Sequence, residues 1–130
     1  MQRVKYVLLQ MTLLLALLSA PASAQQLLES YNARLSSRDH FNSNGKRLRN
    51  PAAIMRQDRA NFHRFGRRDA ADQSDSFFAS KANRARMERM LSKGSSSRAV
   101  RNLIVNRTPV VRVEIYGQGN RGTHIRVVVP

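Results

Sequence analysis

Three histidines, His40, His63 and His124, are the side chains in this sequence best suited to ligate a metal or move a proton near neutral pH. None forms an H-x-H or H-x-x-x-H pair, and the chain has no cysteine, so the usual zinc and copper spacings are missing. A small hydrolase or metal-dependent enzyme would have to assemble Asp39, His40 and His63, with Asn42 nearby, from separate elements. Serines are plentiful, but no G-x-S-x-G elbow marks one as a nucleophile. The sequence therefore nominates no catalytic set, no metal site and no cofactor, and more readily describes a non-enzyme.

The stretch GQGNRG, Gly117 to Gly122, spells the G-x-G-x-x-G of dinucleotide sites. That chemistry needs a helix opening at the third glycine, so that its N-terminus faces the pyrophosphate. Here THIRVVV follows, which alternates like a strand, so the glycines are expected to form a hairpin tip.

The segment RQDRANFHRFGRRD, Arg56 to Asp69, admits two uses. Arg56, Arg59, Arg64, Arg67 and Arg68, interleaved with Phe62 and Phe65, could contact an anionic polymer through charge and ring faces. Alternatively the aromatics are core, and Asp58, four residues from both Ile54 and Phe62, is buried with them. A buried carboxylate needs a partner. Arg84 or Arg86 on the following helix is the expected one, and the spacing favours this structural use.

Stepping along the chain gives the elements that would position these residues. QQLLESYNARLSS places Leu27, Leu28, Tyr31 and Leu35 at helical spacing and predicts a short N-terminal helix, followed by a loop to residue 50. Asn50 as N-cap, Pro51 at the first position and Gly66 as a stop predict a helix over 51–65, with Ile54, Met55, Phe62 and Phe65 inward. Ser80 caps a second helix over 81–93, with Ala82, Ala85, Met90 and Leu91 turned inward and Phe77 and Phe78 anchoring the corner before it. Residues 98–105 fit helix or strand, with helix preferred. Beyond Pro109 the period becomes two, and Val111, Val113, Ile115, Ile125, Val127 and Val129 form one apolar face of a hairpin. A lone hairpin is marginal and must rest on the helices or on a partner. The expected fold is α+β: antiparallel helices in the N-terminal and central regions, and a C-terminal β-hairpin, in a single small domain.

Residues 1–24 read as an export signal. Arg3 and Lys5 precede an uncharged apolar run from Tyr6 to Ala20, and Ala22-Ser23-Ala24 is a small-x-small site for cleavage between Ala24 and Gln25. The run is short for a membrane span and is interrupted by Gln10 and Thr12, so no stable transmembrane anchor is expected after cleavage. Taking 24 residues from 130 leaves 106, enough for one domain without disulfide support. Losing Arg3 and Lys5 takes the 23 cations to 21 against eight carboxylates, a formal net charge of +13. That charge is spread along the chain rather than gathered in a stripe. It points to an anionic partner: lipopolysaccharide, an acidic polysaccharide, nucleic acid or an acidic protein. A third expectation is an accessory or inhibitor that adds its hairpin edge to a partner's sheet.

The stretches YNARLSSRDHFNSNGKRL, AAIMRQDRANFHRFGRRD, FFASKANRARMERML and IVNRTPVVRVEIYG resemble a group of small exported bacterial proteins with no assigned activity. The resemblance covers most of residues 25–130. It implies export to the periplasm or beyond and a single domain, and it brings no site residue with it.

Overall fold

The computed structural model describes residues 25–130; the signal segment expected at 1–24, with Ala24 at its end, lies outside the described residues. The fold is α+β. The hairpin is present: β2 (Val110–Gln118) pairs antiparallel with β3 (Arg121–Val128) around a two-residue turn at Gly119 and Asn120. Gly119 has φ 56°, and Asn120 does not share that sign, as a turn with glycine at the first central position requires. A Cβ on Gly122 would stand 2.6 Å from Cζ of Phe77, so the third glycine of GQGNRG is a packing requirement under an aromatic ring.

The expected N-terminal helix is instead a strand, β1 (Gln26–Arg34), which completes an antiparallel sheet of order β1-β2-β3. Two periodicities compete in QLLESYNAR. Tyr31, Ala33 and Leu35 alternate and are all buried on the face that also carries Val111, Val113, Ile115, Ile125 and Val127. The open edge of β2 supplies the ladder that makes this period win, because a two-stranded hairpin could not bury that face with its own strands. A bulge at Leu28 lets Leu27 face Tyr116 while Glu29 faces Ile115, turning Glu29 inward to the helical side.

Helices cover that face of the sheet. In α1 (Pro51–His63) the Asn50 carboxamide oxygen accepts from the Ala52 and Ala53 amides, and Gly66 at φ 65° turns the chain away. Ile54, Met55 and Phe62 are buried as expected. Phe65 is not: it lies past the helix end and is 41% exposed. The expected helix over 81–93 is divided at Arg86 into α2 (Lys81–Ala85) and α3 (Met87–Lys93). The break turns Arg84, Met87 and Met90 inward and leaves Ala82 and Ala85 exposed. α4 (Arg98–Asn106) is helical, capped by Ser97, and buries Ile104. Phe78, in a turn at Phe77–Ala79, meets Tyr31 edge to face at 6.2 Å and ties the helical layer to β1.

Each outer edge of the sheet is partly occupied. Ser95 donates to the Ile125 carbonyl and accepts from the Val127 amide along β3, and Gln73 hydrogen bonds with both backbone groups of Asn32 on β1. No helix among the described residues is long and apolar enough to cross a membrane.

Candidate functional site: a buried arginine and an unmasked cationic surface

The arginine-rich segment divides between the two uses expected of it. Arg59 is fully buried, so it is not a polyanion contact, whereas Arg56, Arg64, Arg67 and Arg68 are exposed. The partner of Asp58 is its own neighbour: Arg59 Nε donates to Asp58 Oδ2 at 2.8 Å. Arg59 Nη1 donates to Asp75 Oδ1 at 2.9 Å and to the Gln73 carbonyl at 3.0 Å. The guanidinium lies 4.2 Å from the centre of the Tyr31 ring and 4.5 Å from that of Phe62, and Arg68 lies 4.1 Å from Phe62. Arginine and aromatic therefore alternate from the core outward: Tyr31, Arg59, Phe62, Arg68. Ring-face contacts of this kind strengthen when the cation is desolvated.

The expected partners do other work. Arg84 is buried too, but its Nη1 donates to the carbonyls of Phe78 and Ala79, and Arg86 donates to the Gly122 carbonyl. The sequence signal for Arg59 was weak because a helix period places residue 59 only about 100° from residue 58, at the margin of the apolar stripe.

Charge in the buried cluster follows from desolvation. Burial pushes the Asp58 carboxyl well above the ordinary aspartate range, and the neighbouring Arg59 offsets this only in part. Asp39 is raised for the same reason, against opposing hydrogen bonds from Asn61 and Ser36. The Tyr31 phenol is also raised well above its usual value by burial. Arg59 is held in its charged form, since the surrounding acidic groups outweigh the cost of burying it.

The residues from which the alternative enzyme site would have to assemble make structural contacts. Asp39 and His40 share a turn at Ser37–His40, where Asp39 accepts from the Ser36 amide and from Asn61 Nδ2. His40 sets Nδ1 2.8 Å from the Ser36 carbonyl and Nε2 2.7 Å from that of Ile104, so both ring nitrogens face protein oxygens. His63 Nε2 is 2.8 Å from Asp75 Oδ1. Asn61 and His63 lie two apart on α1 and so point in different directions, which separates Asp39 from His63. Asn42 closes its own loop by accepting from the Asn44 and Lys46 amides. Among the described residues no group of three His, Cys, Asp or Glu could hold a metal ion.

What the sequence concealed is where the acids go. Asp39, Asp58 and Asp75 are buried, and Glu29, Asp69, Asp72 and Glu114 are half-buried, which leaves Glu88 alone exposed among the eight. Asp75 accepts from the Phe78 amide, Asp72 from the Arg34 and Asp69 amides, and Glu29 from the Ser76 and Phe77 amides. Of the 21 cations among the described residues, Arg59 and Arg84 are buried and Arg86 and Arg112 half-buried, which leaves 17 exposed. Two of these reach a carboxylate: Arg38 to Asp69 at 3.8 Å and Arg126 to Glu114 at 2.7 Å. Folding thus consumes the negative charge internally and leaves the positive charge outside.

An open groove of about 330 Å³ lies between α1 and the α2–α3 arm. Arg56, Arg64, Lys81 and Arg84 line it together with Glu88, and Leu48 and Phe65 supply apolar surface. Burial, and then the like charges of Arg56 and Arg64, lower the proton affinity of Arg84. Comparison with protein-family models, with curated proteins and with solved structures finds no match to this chain.

Proposed function

We propose that the protein is an exported, non-enzymatic binding protein whose cationic surface meets an anionic partner in the periplasm or outside the cell. The observation that carries this reading is the asymmetry, among the described residues, of 17 exposed cations against one exposed carboxylate. A random surface with 21 cations and eight acids would mix the signs; here seven of the eight acids are drawn into the fold. Arginine supplies most of those cations, and its planar fork suits phosphate, sulfate and carboxylate groups. The apolar run between Lys5 and Ala24 supports export. Catalysis by Asp39, His40 and His63 is not carried forward, because each is held by partners inside the fold. Strand addition at the hairpin edge would first have to displace Ser95 from β3.

The test is a salt titration. Affinity for a single-stranded oligonucleotide of fixed length, followed by fluorescence anisotropy, should fall linearly on a log–log plot, with a slope near −0.7 for each phosphate neutralised. Four or five contacts give a slope of about −3. An affinity that is flat from low to high salt contradicts an electrostatic binding protein.

A further inference from the structure

We propose that the groove between α1 and the α2–α3 arm is a specific site for a phosphomonoester, with Arg84 as its floor and Arg56 and Arg64 at its rim. The inference deepens the polyanion reading and rests on it. It begins from Arg84, which is 7% exposed and has no carboxylate partner. Nη1 is anchored on two carbonyls, Phe78 and Ala79 at 2.9 Å each, and this fixes the plane of the guanidinium. Nε and Nη2 make no hydrogen bond among the described residues, although the side chain lines the groove.

A largely buried cation facing two more guanidiniums is costly unless an anion completes the arrangement. Elsewhere the fold shows how it treats a buried arginine: Arg59 receives two carboxylates. Arg84 receives none, and the one carboxylate on the groove, Glu88, forms no ion pair with it. Arg64 is steadied over the Phe65 ring at 5.0 Å, which gives the exposed Phe65 a role at the rim.

Three guanidiniums and the Lys81 ammonium against one carboxylate call for more than a single negative charge. A phosphomonoester carries nearly two near neutral pH and offers three strong acceptor oxygens, one for each guanidinium. A carboxylate offers one charge and two oxygens. The groove volume of about 330 Å³ leaves room for the organic group that bears the phosphate, and Leu48 and Phe65 give that group an apolar wall. The ester could be soluble or the headgroup of a lipid, since both present the same dianion.

Calorimetric titration of the purified protein with glycerol 3-phosphate tests the site, and sedimentation with phosphatidylcholine vesicles containing phosphatidic acid tests the lipid source. Arg56→Gln/Arg64→Gln, both exposed and so tolerable to the fold, should raise the dissociation constant at least about tenfold. Glu88→Gln should lower it about two- to fivefold, because it removes the one opposing charge. A control pair outside the groove, Arg98→Gln/Arg121→Gln, should change it less than about threefold. Affinity should also weaken below about pH 6, where the ester loses its second charge. Tighter binding to the vesicles than to the free ester, displaced by the free ester, assigns a lipid headgroup; equal affinity assigns a soluble ester. Equal weakening by the two arginine pairs overturns the groove and leaves the general polyanion reading standing. So does an oligonucleotide affinity that persists while glycerol 3-phosphate fails to bind. Loss of all anion binding overturns both.

Discussion

Replacing Arg59 by Met tests how the fold spends its charge. The substitution keeps an apolar side chain of comparable length in a fully buried position. It removes the bonds to Asp58, Asp75 and Gln73 and the cation between Tyr31 and Phe62. Removing one member of a buried ion pair costs about 3–5 kcal/mol, chiefly because the charge left behind is uncompensated. Here that charge is Asp75, which keeps only His63 and the Phe78 amide. Asp58 escapes part of the penalty by taking up a proton, consistent with its raised pKa. A domain of about this size loses roughly 4 °C of Tm per kcal/mol, so Arg59→Met should melt about 12–20 °C lower by circular dichroism. Adding Asp75→Asn should recover part of the loss, because the stranded charge disappears. A fall of less than about 4 °C, or strictly additive effects of the two changes, would refute the claim that Arg59 is the centre of a coupled cluster.

Further outcomes follow from the same contacts. Asp58 and Asp39 have folded-state pKa values above the ordinary aspartate value near 3.9, so the folded state binds protons more tightly than the unfolded chain. The stability they contribute is fully present below about pH 4 and is lost as the pH rises through their raised folded values. Asp58→Asn should therefore lose less stability than the parent between pH 4 and pH 7 in urea titrations; parallel pH profiles would contradict the raised value. Gly122→Ala drives a methyl into the Phe77 ring and should cost about 1–3 kcal/mol in the same assay, with a cost near zero contradicting the close approach. His40→Ala leaves the Ser36 and Ile104 carbonyls without their ring partner and should lower stability by about 2 kcal/mol, whereas an unchanged urea midpoint would show that the bridge between the 37–40 turn and α4 carries no weight.

The parts of the fold legible in the sequence are those with local chemistry. Asn50, Pro51 and Gly66 define α1 from short-range rules, and the alternation after Pro109 defines the hairpin and the face it buries, except at Val129, which lies past the end of β3 and is exposed. The N-terminal strand was not legible, because Leu27, Leu28, Tyr31 and Leu35 satisfy a helical period as well as part of an alternating one. Only the unpaired edge of β2, far along the chain, decides between them. The burial of Asp58 was legible from its spacing to Ile54 and Phe62, but its partner was not. Arg59 stands three residues before Phe62, so spacing links it to that ring, but Asp75 and the Tyr31 ring, which also hold it inward, lie far off in the sequence. The net charge was legible, while its segregation was not. Asp72 and Glu29 look like ordinary surface acids until their amide partners are known.

The central claim is that folding hides the carboxylates and leaves a cationic exterior that binds anions by charge. Amide chemical-shift mapping of a polyphosphate titration, at low and at high salt, tests it most directly. The account predicts perturbations gathered at the exposed arginine-bearing segments, largest over residues 42–65 and 81–88 around the groove, and their disappearance at high salt. Perturbations that persist unchanged at high salt, or that fall on the apolar core while the exposed arginine segments stay silent, would contradict it.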